Sequence, residues 1–336
     1  QKDRRRRGCP QCGLRAGVMK HLFSWSVFDR FSDFPGEGDL QHRLSAFGLD
    51  GFELFTLFEK VDPYYAVPEV VSVHLPYSLD WHSAWEGRRY DGENDDPRYF
   101  SFGRTREDMV ANLRHGIDCA SVLHPAYGVL HAGNTDMRQV LCRKHESDDL
   151  TIISDFAEMV NRVVAGYPGG EPPFRLSFEN LWWEGLKLRS PSEWRVLEDK
   201  LEFDNWGFTL DTGHMMNTCD DAFDEESAID AVMSIIDRYP KDMKDRIRHM
   251  HLQLSTTAEY RRTFVPRRRA EGEEWEHFAH DAFERANGID QHRPYSSRRV
   301  NEIVDAIMPD YLTHELMGFI SDDKYGDLRQ QRALLP

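Results

Sequence analysis

No stretch of the 336-residue sequence approaches the roughly 18 consecutive apolar residues needed to cross a bilayer. An apolar targeting segment near the start is missing too, so a cytoplasmic protein is expected. Cysteine is scarce. Cys9, Cys12, Cys119, Cys142 and Cys219 are odd in number and scattered, which argues against a disulfide framework. Positive charge is short as well: 42 Lys and Arg face 58 Asp and Glu, a net charge of −16. That balance disfavours broad, non-specific binding of nucleic acid, while a local basic patch can still grip a phosphate. No GxGxxG follows the first predicted strand, so a dinucleotide site is not expected.

What is present suits one large α/β domain, with 40% hydrophobic and 12% aromatic residues to build its core. Residues 1–17 read as a disordered tail, with a basic run at Arg4 to Arg7 and a lone Cys9-Pro10-Gln11-Cys12 lacking the second pair a zinc knuckle needs. From residue 18 onward short apolar runs alternate with helical patterns. Strands are predicted at His21–Val27, Gly51–Leu57, Val70–His74, Tyr127–His131, Phe174–Glu179, Gly207–Asp211, Ile247–Leu254 and Tyr311–Leu316. Helices are predicted at Asp39–Phe47, Thr105–Ala120, Asp148–Ala165, from Ser190 onward, at Ala228–Tyr239, Arg299–Met308 and Asp322–Leu334. Eight strands alternating with helices, without a compositional break, predict a single (β/α)8 TIM barrel over residues 18–336. A doubly wound open sheet is the alternative.

In such a barrel the chemistry sits at the C-terminal strand ends. The sequence places metal-ligand residue types there repeatedly. Strand three ends in His74, strand four in His131, strand five in Glu179 and strand six in Asp211 with His214 one turn on. Strand seven supplies His251, strand eight Glu315, and the loop after strand seven carries Asp290 and His292. An Asp before a helix also reads as a simple cap, and a buried strand-end His as a hydrogen-bonded core residue. Recurrence at one rim favours ligation. Nine oxygen and nitrogen donors exceed what one ion accepts and suit two or three first-row divalent metals, with Zn, Mn and Fe all compatible.

The ordered set His74, His131 in HAG, Glu179 in FEN, Asp211 and His214 in DTGH, His251 in HLQ, Asp290 and His292 in DQH and Glu315 in HEL resembles the endonuclease IV (AP endonuclease family 2) branch of the xylose-isomerase-like TIM barrels, over about residues 20–318. The resemblance implies three metal ions on these nine residues. Sugar and sugar-phosphate isomerases and epimerases of the same superfamily resemble only the subset Glu179, Asp211, His251 and Glu315 around one metal, with two carboxylates moving protons. The chain departs from the repair enzymes in its first strand, His21 to Ser26, and in Gln253-Leu254 where those enzymes resemble Asn-Asp.

Two long insertions, about residues 80–104 and 255–288, fall on the βα side, where they reshape the mouth of a site. The second carries Arg261, Arg262, Arg267, Arg268 and Arg269, which either hold an anionic substrate or pair with Glu271, Glu273 and Glu274 as a solvated loop. The first carries Trp81, Trp85, Tyr90, Tyr99 and Phe100, which either stack on a sugar or base or fold over the rim as a cover. His82, His124, His277 and His280 read as surface or lid residues.

The expected function is divalent-metal-dependent hydrolysis of a phosphoester in a small, anionic, phosphorylated or sugar-like substrate, with Glu179, Asp211 and Glu315 at the reacting centre. The alternatives are isomerisation or epimerisation of a sugar or sugar phosphate by the pair Glu179 and Glu315, and oxidative chemistry at iron. The acidic composition favours a small molecule over a nucleic acid. Nothing in the sequence reads out self-association.

Overall fold

The computed structural model describes residues 18–88, 97–142, 148–316 and 323–336. The Cys9/Cys12 tail and Tyr90 lie outside these residues, as does Asp322, where the last helix was expected to begin. Eight strands form one closed barrel: β1 (Lys20–Ser26), β2 (Gly51–Phe55), β3 (Val70–His74), β4 (Tyr127–His131), β5 (Arg175–Glu179), β6 (Trp206–Asp211), β7 (Ile247–Leu252) and β8 (Tyr311–His314). Each pairs in parallel with its sequence neighbours, and β8 closes on β1 through Lys20↔Tyr311 to Phe23↔His314. The open-sheet alternative is thereby excluded. The apolar runs are near-continuous because strands covered by helices outside and packed inside have no wet face; all six residues of β6 are buried.

The intervening helices end where local chemistry dictates. The first, α1 (Leu40–Ala46), starts at Asp39, whose carboxylate accepts from His42 N at 2.9 Å. Ahead of α2 (Pro191–Lys200), Glu193 accepts from the backbone N–H groups of Lys187, Arg189 and Ser190 at 2.7, 3.2 and 3.1 Å. The helix expected from Ala228 begins earlier, as α3 (Glu225–Ile236), because Asp224 caps it by accepting from Ser227 N at 2.8 Å. The expected strands overrun mainly at their C-terminal ends: Gln253 and Glu315 stand just past β7 and β8, where the chain leaves the ladder to aim side chains at the rim.

Both insertions build structure on that rim. In the first, the short helix Trp81–Trp85 is buried throughout. In the second, α4 (Trp275–Ile289) packs on the short helix Met137–Cys142, with Met137, Leu141, Phe278 and Ala282 as a small core of their own. No described helix is long and apolar enough to cross a membrane.

The barrel interior is partly polar. Tyr127 and His249 stack at 3.6 Å between ring centroids, and Ser177 Oγ meets His249 Nδ1 at 2.6 Å. This layer floors the cavity above it. At Gly51 an added Cβ would stand 2.5 Å from Glu69 O and 2.6 Å from Val71 Cγ2, so β2 approaches its neighbour only with glycine there. Gly51→Ala is expected to destabilise the fold by about 1–3 kcal/mol, since a backbone oxygen cannot move aside. Urea unfolding of both proteins checks this, and an unchanged midpoint would contradict it.

Candidate metal centre

The organising residue is Glu179, fully buried at the tip of β5. Its Oε2 lies 3.3 Å from His74 Nε2 and 3.2 Å from His131 Nε2, at the tips of β3 and β4. Its Oε1 lies 3.1 Å from His251 Nδ1 and 3.3 Å from His214 Nδ1. Beyond His214, Asp290 Oδ2 stands 3.0 Å from both His214 Nε2 and His292 Nε2. Beyond His251, Glu315 Oε2 stands 3.1 Å and Asp211 Oδ2 4.0 Å from its Nδ1. The structure thus brings all nine strand-end and loop residues into three groups: His74, His131 and Glu179; His214, Asp290 and His292; and Glu179, Asp211, His251 and Glu315. Within each, one ligand atom per residue lies within 4.8 Å of the others, and Glu179 belongs to two groups.

The DTGH stretch shows why sequence and site agree. Asp211 does cap the next helix, Oδ1 accepting from His214 N at 2.6 Å. Its Oδ2 is buried with no hydrogen-bond partner, so capping and ligation use different oxygens. Gly213 is required by contact: a Cβ there would lie 2.0 Å from Gln253 Oε1. Gln253 Nε2 in turn donates to Asp211 Oδ1 at 3.2 Å and Asp290 Oδ1 at 2.9 Å, tying two of the groups together. Asn180 of the FEN stretch bridges β5 to β6, donating to Asp211 O at 3.0 Å and accepting from Asp211 N at 2.8 Å.

Electrostatics test whether these residues fit cations. Four carboxylates converge in a space closed to water, and the imidazoles carry the compensating charge. Burial pushes Asp211 well above the usual carboxylate range, with Glu315, Glu179 and Asp290 adding to it against the pull of His214. Burial works against charge on His292, yet Asp290 and Glu315 raise it to about 10. His251 and His214 are likewise raised well above the usual histidine range, against burial, by the carboxylates around them. Buried Glu315 is drawn down to about 2 by His251 and His292. Protons on imidazole therefore stand where metal charge would stand. Glu179 Oε2, Asp211 Oδ2 and Glu315 Oε2 are all buried without a hydrogen-bond partner. Oxygens so placed, among neutralisable imidazoles and without thiolates, fit hard or borderline divalent ions.

The other expected site residues lie elsewhere. None of the five arginines lines the cavity of about 590 Å³ that opens over the nine residues. Arg267 is clamped by Glu273 at 2.9 and 3.0 Å and by Asp281; Arg262 pairs with Glu259; Arg261 donates to Cys219 O. Arg269 donates to Glu273 O at 2.9 Å, and Arg268 is exposed. Acidic side chains of the same segment are closer than any ligand in the cavity, which corrects their expected role. Trp81 is 1% exposed and donates to Gly133 O at 2.7 Å, so it braces the rim instead of stacking on substrate. His82 is no surface residue either: it is buried and pairs with Asp155 at 2.9 Å.

Residues 42–294 match the family described as xylose isomerase-like TIM barrel, well over half of the sequence. The chain belongs to that family. Among solved structures, this family member is similar to a D-tagatose 3-epimerase-like protein, 15% identical with a TM-score of 0.51, over 94% of this chain and 95% of that one. Endonuclease IV from Thermus thermophilus is 16% identical with a TM-score of 0.49, over 94% and 98%. A 3-keto-D-glucoside 4-epimerase from E. coli is 14% identical with a TM-score of 0.49, over 94% and 98%. At such identities the likeness speaks for the shared barrel alone. No curated protein matches the sequence.

One residue of this family member's site escaped the sequence reading. Glu53, inside β2, is 2% exposed, and its Oε1 lies 2.7 Å from His251 Nε2, on the far side of the ring from Glu179. Ser72 and Thr313 donate to its Oε2 at 3.1 and 3.3 Å. The signal was an acid within Phe52-Glu53-Leu54-Phe55, a position where an unpaired charge would be costly. A carboxylate behind a ligating imidazole fixes its tautomer and orientation. Glu53→Gln is expected to weaken metal binding about 10–100-fold while the fold persists. Competition with a fluorescent chelator measures this, and unchanged affinity would remove Glu53 from the site.

Proposed function

We propose that this protein is an enzyme that uses two or three divalent metal ions to hydrolyse a phosphoester in a small phosphorylated or sugar-like substrate. The observation that carries this reading is the meeting of three ligand groups on one carboxylate, Glu179. In this reading His74, His131 and Glu179 hold one ion, Glu179, Asp211, His251 and Glu315 a second, and His214, Asp290 and His292 a third. Zn, Mn and Fe all suit this donor set. Bound there, the ions would polarise phosphoryl oxygens, lower the pKa of water and neutralise the leaving oxygen.

The chain's own contribution is placement. Glu179 spans two groups and fixes their separation, so attacking and leaving oxygens are held on either side of phosphorus. His251, gripped between Glu53 at 2.7 Å and Glu179 at 3.1 Å, cannot rotate away. The aromatic wall of the cavity, with Tyr77 stacked 4.3 Å over His131, limits water around the reacting atoms.

A second reading has its own support: Glu179 Oε1 and Glu315 Oε2 both stand 3.1 Å from His251 Nδ1, on one ligand group. Around a single ion these carboxylates are a proton-transfer pair for a sugar isomerase or epimerase.

Two assays separate the readings. The metal-loaded protein is expected to hydrolyse bis(4-nitrophenyl) phosphate, with Asp211→Asn and Glu179→Gln reduced to background. His124→Asn should match the parent, since His124 is exposed before β4 and Asn tolerates its φ of 50°. Solvent deuterium entering the carbon next to a ketose carbonyl, without phosphoester hydrolysis, would overturn hydrolysis in favour of isomerisation.

A further inference from the structure

The cavity over the nine residues extends to one side, along β1 and toward α5 (Lys324–Arg332). Its wall there is aromatic: Phe23, Trp25, Phe28 and Phe55. Trp25 and Phe55 are two residues of neighbouring strands facing the same mouth, and Phe28 stands 76% exposed at its lip. A bare phenyl group at the entrance of a cavity has its apolar surface in water until something covers it.

Charge along this side is uneven. The lining residues include Asp29, Glu53, Asp290 and Glu315, and Lys324 is the one Lys or Arg among them. Asp29 is engaged locally, accepting from Ser26 N at 3.2 Å. Lys324 has no ion-pair partner among the described residues; its ammonium stands 5.3 Å from the Trp25 ring and 5.2 Å from the Tyr325 ring. It is also the first residue of α5, where the helix dipole opposes a cation and adds to its positive field. Contact with two ring faces compensates part of that and fixes the head group at the cavity edge. An ammonium held against its own helix dipole, beside an apolar wall and without a carboxylate, is placed to receive an anion.

We propose that the substrate of this site is an organic anion with a flat apolar face, whose face lies on Trp25 and Phe55 and whose carboxylate or phosphate group is held by Lys324, apart from the atoms that react at the nine-residue centre. Anion recognition thus belongs to Lys324 and not to the arginine-bearing insertion, whose guanidiniums are occupied by Glu273, Asp281 and Glu259. The proposal rests on the reading of the nine residues as the reacting centre, and its test reads binding instead of turnover.

Calorimetric titration of the full chain with phenylacetate, phenylphosphonate and benzyl alcohol, each with and without a chelator, provides that test. With chelator present, the two anions are expected to bind at least about tenfold more tightly than the neutral alcohol. Lys324→Met should remove that preference, Lys324→Arg should restore most of it, and Arg267→Ala should leave it intact. A preference for phenylacetate alone marks a carboxylate substrate, and for phenylphosphonate alone a phosphate one. Equal affinities of parent and Lys324→Met for both anions would overturn the proposal, as would a preference lost in Arg267→Ala instead. Failure of the metal reading appears separately, as titrations indifferent to chelator in a protein that binds no divalent ion.

Discussion

Everything at the rim depends on one buried carboxylate with two differently used oxygens. Glu179 Oε2 faces the histidines of β3 and β4, and Oε1 faces those contributed by β6 and β7. A charged group with no exposed surface is stable only if its neighbours supply opposite charge and donors. Here they do so from both sides, which obliges four other segments to converge on the tip of β5. Remove that requirement and His74, His131, His214 and His251 have no common reason to point inward.

The barrel is the means of convergence. Eight parallel strands end at the same face, so a residue at each tip is brought near all others without any contact between them in sequence. The layer below, with Tyr127 stacked on His249 and Ser177 bonded to that ring, closes the floor. Around the rim, Asn180 and Gln253 convert proximity into fixed geometry, because each ties Asp211 to a neighbouring strand or loop. The short side chain of Gly213 is the local condition for Gln253 to reach across.

Much of this was legible in the sequence, and the boundary is physical. Strands buried on both faces write themselves as apolar runs, and an acid or imidazole at the end of such a run stands out, as at Val73-His74 and Phe178-Glu179. Glu53 was hidden for the opposite reason: it sits inside a run, and nothing in the sequence says which strand faces it across the barrel. The arginine-bearing insertion misled because its ends are anchored at His251 and Asp290, yet its own acids decide where the guanidiniums go. Pairing between residues six or fourteen positions apart is a tertiary outcome that spacing does not reveal. Lys324 escaped too, since a lysine opening a surface helix looks ordinary until the cavity beside it is known.

The central claim is that Glu179 joins separate ligand groups into one multinuclear centre. Elemental analysis of the chain, loaded with excess divalent metal and freed of loose ions, tests it most directly when parent and Glu179→Gln are compared. The account predicts about two or three tightly held ions per chain in the parent, with both Glu179-containing groups emptied together in the variant while His214, Asp290 and His292 keep theirs. One ion per chain in the parent, or full occupancy in the variant, would contradict it.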